Sequence, residues 1–278
     1  MPAQFLAKES GTVIQSLIQH RFEEDDIRTH FPNPLLREDA LALLNKYCTV
    51  VYYPLEGEKN NGFHIKIPDA SGKERHFVYI NTAQTIEKQA FTAAHELGHI
   101  WRVDQLVAKQ FGFQLNEELG EQIINRFAAE LLLPEKLFRR LYTQEYKKWQ
   151  IDNGKIVIRD MFKVIVALMD QFFAPVKSII YRCRELDYIN EQGCKLLLGE
   201  TSALPKRIID SVIQETIRDN GYTQFQTPTK KKSINGLAEL LNRAEVQGDI
   251  SQSKIDHLRE LFDLRPPVID EQIDELLN

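Results

Sequence analysis

Residues 95–99 read His-Glu-Leu-Gly-His, and no other five residues narrow the possibilities for this chain so far. In an α-helix, positions i and i+4 stand one turn apart on the same side. Two imidazoles so placed can both reach one Zn²⁺ at about 2.0–2.1 Å, whereas a spacing of two or five residues could not. The residue after the first histidine is rotated by about 100° around the axis, which keeps Glu96 out of the ligand set but near a water on the metal. The pattern therefore predicts a helix that holds zinc through His95 and His99 and carries Glu96 as the base for attack of water on a peptide carbonyl. The bare pentapeptide arises by chance in about one chain in a hundred of this composition, so its surroundings must decide. Phe91, Ala94, His95 and Gly98 fall at i, i+3, i+4 and i+7, which turns His95 towards the core. Gly98, costly inside a helix, marks a place where another element comes close.

A catalytic zinc takes a third protein ligand and keeps one position open. A second helix is expected between Asn116, a good cap, and Pro134. Its apolar stripe is Ile124, Phe127, Ala128 and Leu131, and Glu121 stands on the same stripe. A carboxylate on a buried face needs a partner, and a metal ion would serve. Glu117, one turn earlier, is the alternative ligand, and Asn125, one turn later, is placed to hold a ligand from behind. Gly120 again permits close approach. Glu130, nine residues from Glu121 and about 180° round the helix, is expected in solvent. His64 and His76 alternate within strands and are given little weight as ligands. No residue stands out as the donor to a tetrahedral oxyanion; Tyr142, Arg102 and Tyr79 stay open.

The chain has 278 residues, 43% hydrophobic and 27% charged, the balance of a soluble globular protein. A net charge of −5 supplies no global field for nucleic acid. Three widely spaced cysteines without a CxxC pair argue against a disulfide framework and for a reducing cytoplasm. The N-terminus does not read as a signal peptide, and no apolar run approaches the roughly 20 residues that span a bilayer. Helices are expected over 9–20 and 39–47, strands over 48–53, 63–67 and 76–80 with a turn at 70–73, and the histidine helix from a Thr82 or Thr85 cap to about Asp104. This order predicts an α+β fold: a small three-stranded sheet, antiparallel or mixed, packed on the two ligand helices and followed by a mostly helical C-terminal half. The sheet's edge should lie beside the zinc, since peptidases commonly hold substrate as an added strand. Residues 1–145 are assigned to the metallopeptidase core, 146–200 to a helical helix-turn-helix-like module, and 201–278 to a C-terminal helical region. A linker is expected near 220–236, where Lys230–Lys232 would be solvated. Within the module, Lys177, Arg182 and Arg184 lie off the apolar face of the helix at 176–186, as a solvated basic face or, less simply, a DNA contact.

The sequence resembles the ImmA/IrrE-type metallopeptidases in four places: Gly-Phe at 62–63, Tyr-Ile-Asn at 79–81, FTAAHELGH at 91–99 and EQIINRFAAELLLP at 121–134. The likeness runs from about Asp39 to Arg140, and departs from many relatives in having Ile124 where they have Ala. It implies a minimal gluzincin-like fold, with His95, His99 and Glu121 as zinc ligands and Glu96 as catalytic base. It also implies a protein substrate, a helix-turn-helix repressor cleaved to derepress stress-response or mobile-element genes. A zinc-containing regulatory protein that binds DNA or a repressor without proteolysis is the competing expectation.

Overall fold

The β-branched and aromatic run Thr-Val-Val-Tyr-Tyr forms β1 (Thr49–Tyr53), after helices α1 (Ala3–Glu24), α2 (Ile27–His30) and α3 (Asp39–Asn45). In the computed structural model, residues 3–57, 60–69, 71–149 and 156–264 are described. Strands β2 (Gly62–Pro68) and β3 (Glu74–Asn81) follow, joined by a turn in which Asp69 Oδ1 accepts from the backbone N–H groups of Ser71 and Lys73. Ala70 of the expected turn lies outside the described residues. β3 runs antiparallel to β2 and parallel to β1, with Val50 opposite Val78 and Tyr52 opposite Ile80. These four side chains are buried on one face of the sheet. On the other face, Phe63, Ile65 and Ile67 of β2 are each nearly half exposed.

Helix α4 (Ile86–Ile100) packs beneath the sheet against β2 and β3, and α6 (Glu117–Leu132) packs in turn on α4, with α5 (Val103–Phe111) between the two helices in sequence. Asn116 caps α6 as expected, its side chain accepting from Leu119 N–H at 2.8 Å. α4 begins after Thr85 but stops short of Asp104. The chain leaves the helix at Trp101, whose indole turns inward between Tyr47 and Phe127. It reverses at Arg102, which has a φ of 54°. At the helix crossing, a Cβ on Gly98 would stand 2.7 Å from Phe127 Cδ1, so the glycine is what lets α4 and α6 approach.

The remainder is helical: α7 (Glu135–Trp149), α8 (Ile158–Phe172), α9 (Val176–Glu185) and α10 (Glu191–Leu198). The two-residue strands β4 (Glu200–Thr201) and β5 (Leu204–Pro205) lead into α11 (Lys206–Asp219). One continuous apolar core runs from Ile14 in α1 through α4, α6 and α8 to Phe225. α8 and α9 meet at 106°, and both bury their apolar stripes in protein. Among the described residues no single helix is long and apolar enough to cross a membrane.

Beyond α11 the structure departs from expectation. Residues 220–236 are not a free linker: after a short turn of 3₁₀ helix at Thr223–Phe225, Ser233–Ile234 form β6 against β1, before α12 (Leu237–Gln247) and α13 (Gln252–Leu261). The sheet therefore has four strands, in the order β2-β3-β1-β6. The approach is sewn down by Thr82, whose hydroxyl donates to Lys231 O at 2.7 Å and whose carbonyl accepts from Lys230 N–H at 2.9 Å. The lysine triplet stays near the surface as expected, with Lys230 and Lys231 exposed, but its members have neighbours. Lys230 pairs with Glu56 at 3.1 Å, while Lys231 and Lys232 lie over the rings of Tyr52 and Tyr53.

Candidate metal centre

One turn of α4 separates His95 from His99, and their Nε2 atoms face each other at 3.2 Å. Glu121, on the first half of α6, presents one carboxylate oxygen to each: Oε2 is 3.3 Å from His95 Nε2, and Oε1 is 3.3 Å from His99 Nε2. Donors about 2.0–2.1 Å from a tetrahedral zinc stand about 3.3–3.4 Å apart. Each of the three contacts falls near that spacing, the two to Glu121 ending on different oxygens of its carboxylate. Two facing imidazole lone pairs and a carboxylate this close are served by a cation between them, and the donor set His₂Glu is one that catalytic zinc uses. The triad fits a zinc site, and among the described residues it is the one such cluster. His95 Nδ1–H donates to Asn125 Oδ1 at 3.1 Å, which leaves Nε2 as the free lone pair.

The site opens to solvent through Glu121. Its side chain is 49% exposed, against 17% for His95 and 27% for His99. The helical stripe led to Glu121 as a carboxylate on a buried face; its side chain is half exposed instead, at the open side of the cluster. Glu117 is exposed in the first turn of α6 and outside the cluster. Glu96 is buried beside the ligands, and burial, followed by the charge of Glu121, pushes its carboxyl up to about 7.

Residues 46–182 match the family described as Peptidase_M78, the IrrE N-terminal-like domain. The chain belongs to the ImmA/IrrE metallopeptidase family. No curated protein matches it. The family's sequence signatures have visible work in this structure. Gly62 lets β2 pass over α4, since a Cβ there would lie 2.5 Å from Tyr79 O and 2.6 Å from Thr92 Cγ2. The edge strand thereby runs one helical turn from His95. Asn81 is wholly buried and ties the neighbouring loop, accepting from Leu55 and Ala83 N–H and donating to Leu55 and Asn60 O, all at 3.0–3.1 Å.

The RFAAE stretch explains the clearest misplacement. Glu130, expected in solvent, is 2% exposed and chelated by the fully buried Arg182, with Nη1–Oε1 at 2.8 Å and Nη2–Oε2 at 2.7 Å. Arg126 Nη2 adds a third contact at 2.6 Å. The angle from Glu121 was right, but α6 is a central helix with neighbours on both sides, so its far face meets α1 and α9. Arg182 is accordingly neither on a solvated face nor free for DNA, and Arg184 pairs with Glu191.

The three residues weighed for an oxyanion each have a neighbour of their own outside the ligand cluster. Tyr142 is stacked on Tyr188 at 3.8 Å, Tyr79 donates to Tyr53 O at 2.9 Å, and Arg102 holds Glu74 at 3.0 Å. His64 and His76 stay outside the ligand cluster but meet each other, Nε2 to Nδ1 at 2.8 Å, with rings stacked. Burial, then His76, Lys66 and His99, hold His64 down to about 4, so it is a neutral imidazole on the strand nearest the site. Cys48, which no sequence signal tied to the motif, sits close enough to Glu96 to feel its charge. Burial first and Glu96 second push its thiol up to about 12, which leaves it a poor nucleophile.

Proposed function

We propose that this chain is a zinc-dependent endopeptidase that cuts a helix-turn-helix transcriptional repressor at a defined bond, in stress-response or mobile-element control. The observation that carries the reading is the His95–His99–Glu121 cluster, its members 3.2–3.3 Å apart at their nearest nitrogen and oxygen atoms, beside the buried carboxylate of Glu96. Zinc held there supplies a Lewis acid that acidifies water and polarises a carbonyl. Glu96 accepts the proton of the attacking water and returns it to the departing amide nitrogen. Asn125 fixes the ring of His95. The exposed side of β2, the sheet edge that runs past α4, offers unpaired backbone groups to an extended segment of substrate, and Phe63 and Ile65 offer apolar contacts beside it. Three free cysteines suit a reducing cytoplasm as the place of action.

The test is cleavage of a purified or co-expressed repressor by the zinc-loaded protein. Wild type should release two discrete fragments. Glu96→Gln should bind zinc as wild type does and lose at least about 10²-fold in rate, while His95→Ala should lose the metal itself. A repressor left intact after long incubation with the zinc-loaded protein would replace this reading with that of a zinc-containing regulatory binder.

A further inference from the structure

The face of the sheet turned away from α4 is covered over part of its width. Val51 and Tyr53 of β1 and Tyr79 of β3 stand on it. At the β1 side α13 arrives, with Phe262 edge-on to Tyr53 at a centroid distance of 6.4 Å. Helices α12 and α13 pack on each other and bury Leu241, Ile255 and Phe262 apart from the main core. Two strands over, the same face of β2 carries Phe63, Ile65 and Ile67, which are 46%, 45% and 47% exposed. Gly62, one position off, faces Thr92 of α4, so the alternation of the strand sends these three side chains outward. Three large apolar side chains in a row on an edge strand form a contiguous patch, the kind that marks a contact.

The chain itself supplies a matching segment. Residues 265–278, RPPVIDEQIDELLN, follow α13 in sequence and lie outside the described residues. Ile269, Ile273, Leu276 and Leu277 fall at i, i+4, i+7 and i+8, the spacing of one apolar helix face, behind a Pro-Pro that suits a helix start. The dimensions agree: a helix from Ile269 to Leu277 spans about 12 Å, and a strand from Phe63 to Ile67 about 13 Å. β1 and β2 lie about 10 Å apart across the sheet, within the roughly 13 Å that residues 265–268 cover when extended. Charge agrees as well. Asp270, Glu271, Asp274 and Glu275 make the segment acidic. On the β2–β3 hairpin, Arg75 stands opposite Ile67, and Lys73 is exposed without an ion pair among the described residues. The acids there are already held, Asp69 by Arg75 at 3.5 Å and Glu74 by Arg102 at 3.0 Å.

We propose that residues 265–278 dock in cis on this face, their apolar stripe on Phe63, Ile65 and Ile67 and their acids towards Lys73 and Arg75. The segment is favoured over a second copy of the chain because it starts where α13 already touches the sheet and bears the complementary charge. Substrate that used Phe63 and Ile65 would have to displace it, but the docking itself assumes nothing about cleavage.

The test replaces Phe63 in the full chain by the photo-cross-linker p-benzoyl-phenylalanine and locates the products of irradiation by mass spectrometry. Cross-links should fall within residues 265–278, in product of monomer mass. Ile273→Asp with Leu276→Asp should cut their yield at least about tenfold, because a carboxylate without a partner is forced against apolar side chains. Absence of such a cross-link, capture of a second copy in product of dimer mass, or a yield untouched by the two aspartates would overturn the proposal. Should the benzophenone variant not fold, methyl NMR on wild type decides: nuclear Overhauser contacts must join Ile65 or Ile67 to Ile273 or Leu276, and their absence refutes it.

Discussion

Asn125 never needs to touch a metal to control one. Its amide oxygen engages His95 Nδ1–H at 3.1 Å, and so sets which ring nitrogen faces Glu121 and how the ring is turned. Loss of such an outer partner typically weakens a metal site by about 10–100-fold. Asn125→Ala should therefore raise the zinc dissociation constant by that factor in a competition assay with a chelating dye, with little change in the melting temperature of the metal-free protein. At this scale the sequence was most readable. The i, i+4 histidines, the interposed Glu96 and the stripe position of Glu121 are local consequences of helical geometry, and the folded chain keeps them. Glu130 was misread because a helical wheel gives angles around an axis but not what lies at each angle. Cys48 was invisible for a related reason, since its proximity to Glu96 arises only when α3, which leads into it, is packed against α4.

Between elements, two glycines set distances that matter to the site. Alanine at Gly98 would drive a Cβ to 2.7 Å from Phe127 Cδ1 and 3.2 Å from Ile124 Cγ2. Overpacking of this kind costs about 1–3 kcal/mol, against a gain of about 1 kcal/mol in helix propensity. Gly98→Ala should lower the melting temperature. Because it spreads α4 from α6, it should also weaken zinc, a pairing that calorimetry with and without metal would reveal; a variant that melted higher and bound zinc unchanged would show the crossing to be slack. Gly98 signalled close approach in the sequence, and the structure supplies the neighbour. The end of α4 at Trp101 carried no comparable signal, since neither proline nor glycine stands there and the break depends on where the indole finds its pocket. β6 was missed because two residues cannot show an alternating pattern; its pairing is decided by β1, far away in sequence.

Across the whole molecule, the buried cluster of Arg126, Glu130, Arg182 and Glu185 joins α6 to α9, and with Gln15 it also reaches α1. Removing one partner of a buried pair costs about 3–5 kcal/mol, whereas replacing both by apolar groups can be nearly neutral. Arg182→Met alone should be severely destabilising, and Glu130→Met with Arg182→Met should recover much of the loss in chemical denaturation. The pH dependence follows from the same group. Burial would raise the Glu130 carboxyl, but Arg182 and then Arg126 and Gln15 outweigh it and hold it below the ordinary carboxylate range. A carboxyl depressed in the folded state contributes its stability above the unfolded value and loses it as pH falls through the folded one. Melting temperature should thus drop on acidification below the ordinary range, and the acid limb should be shallower in Glu130→Gln.

The last strand of the sheet has a consequence for how the molecule comes into being. Asn235 receives the N–H of Val50 across 185 positions of chain and donates to Cys48 O, while Thr229 meets Gln89 on α4. Contacts of such long range form late, after the loop between them has closed. A ribosome that has translated the whole HELGH stretch and its third ligand has still not delivered the residues that finish the sheet, so the blade is made well before the handle that steadies it.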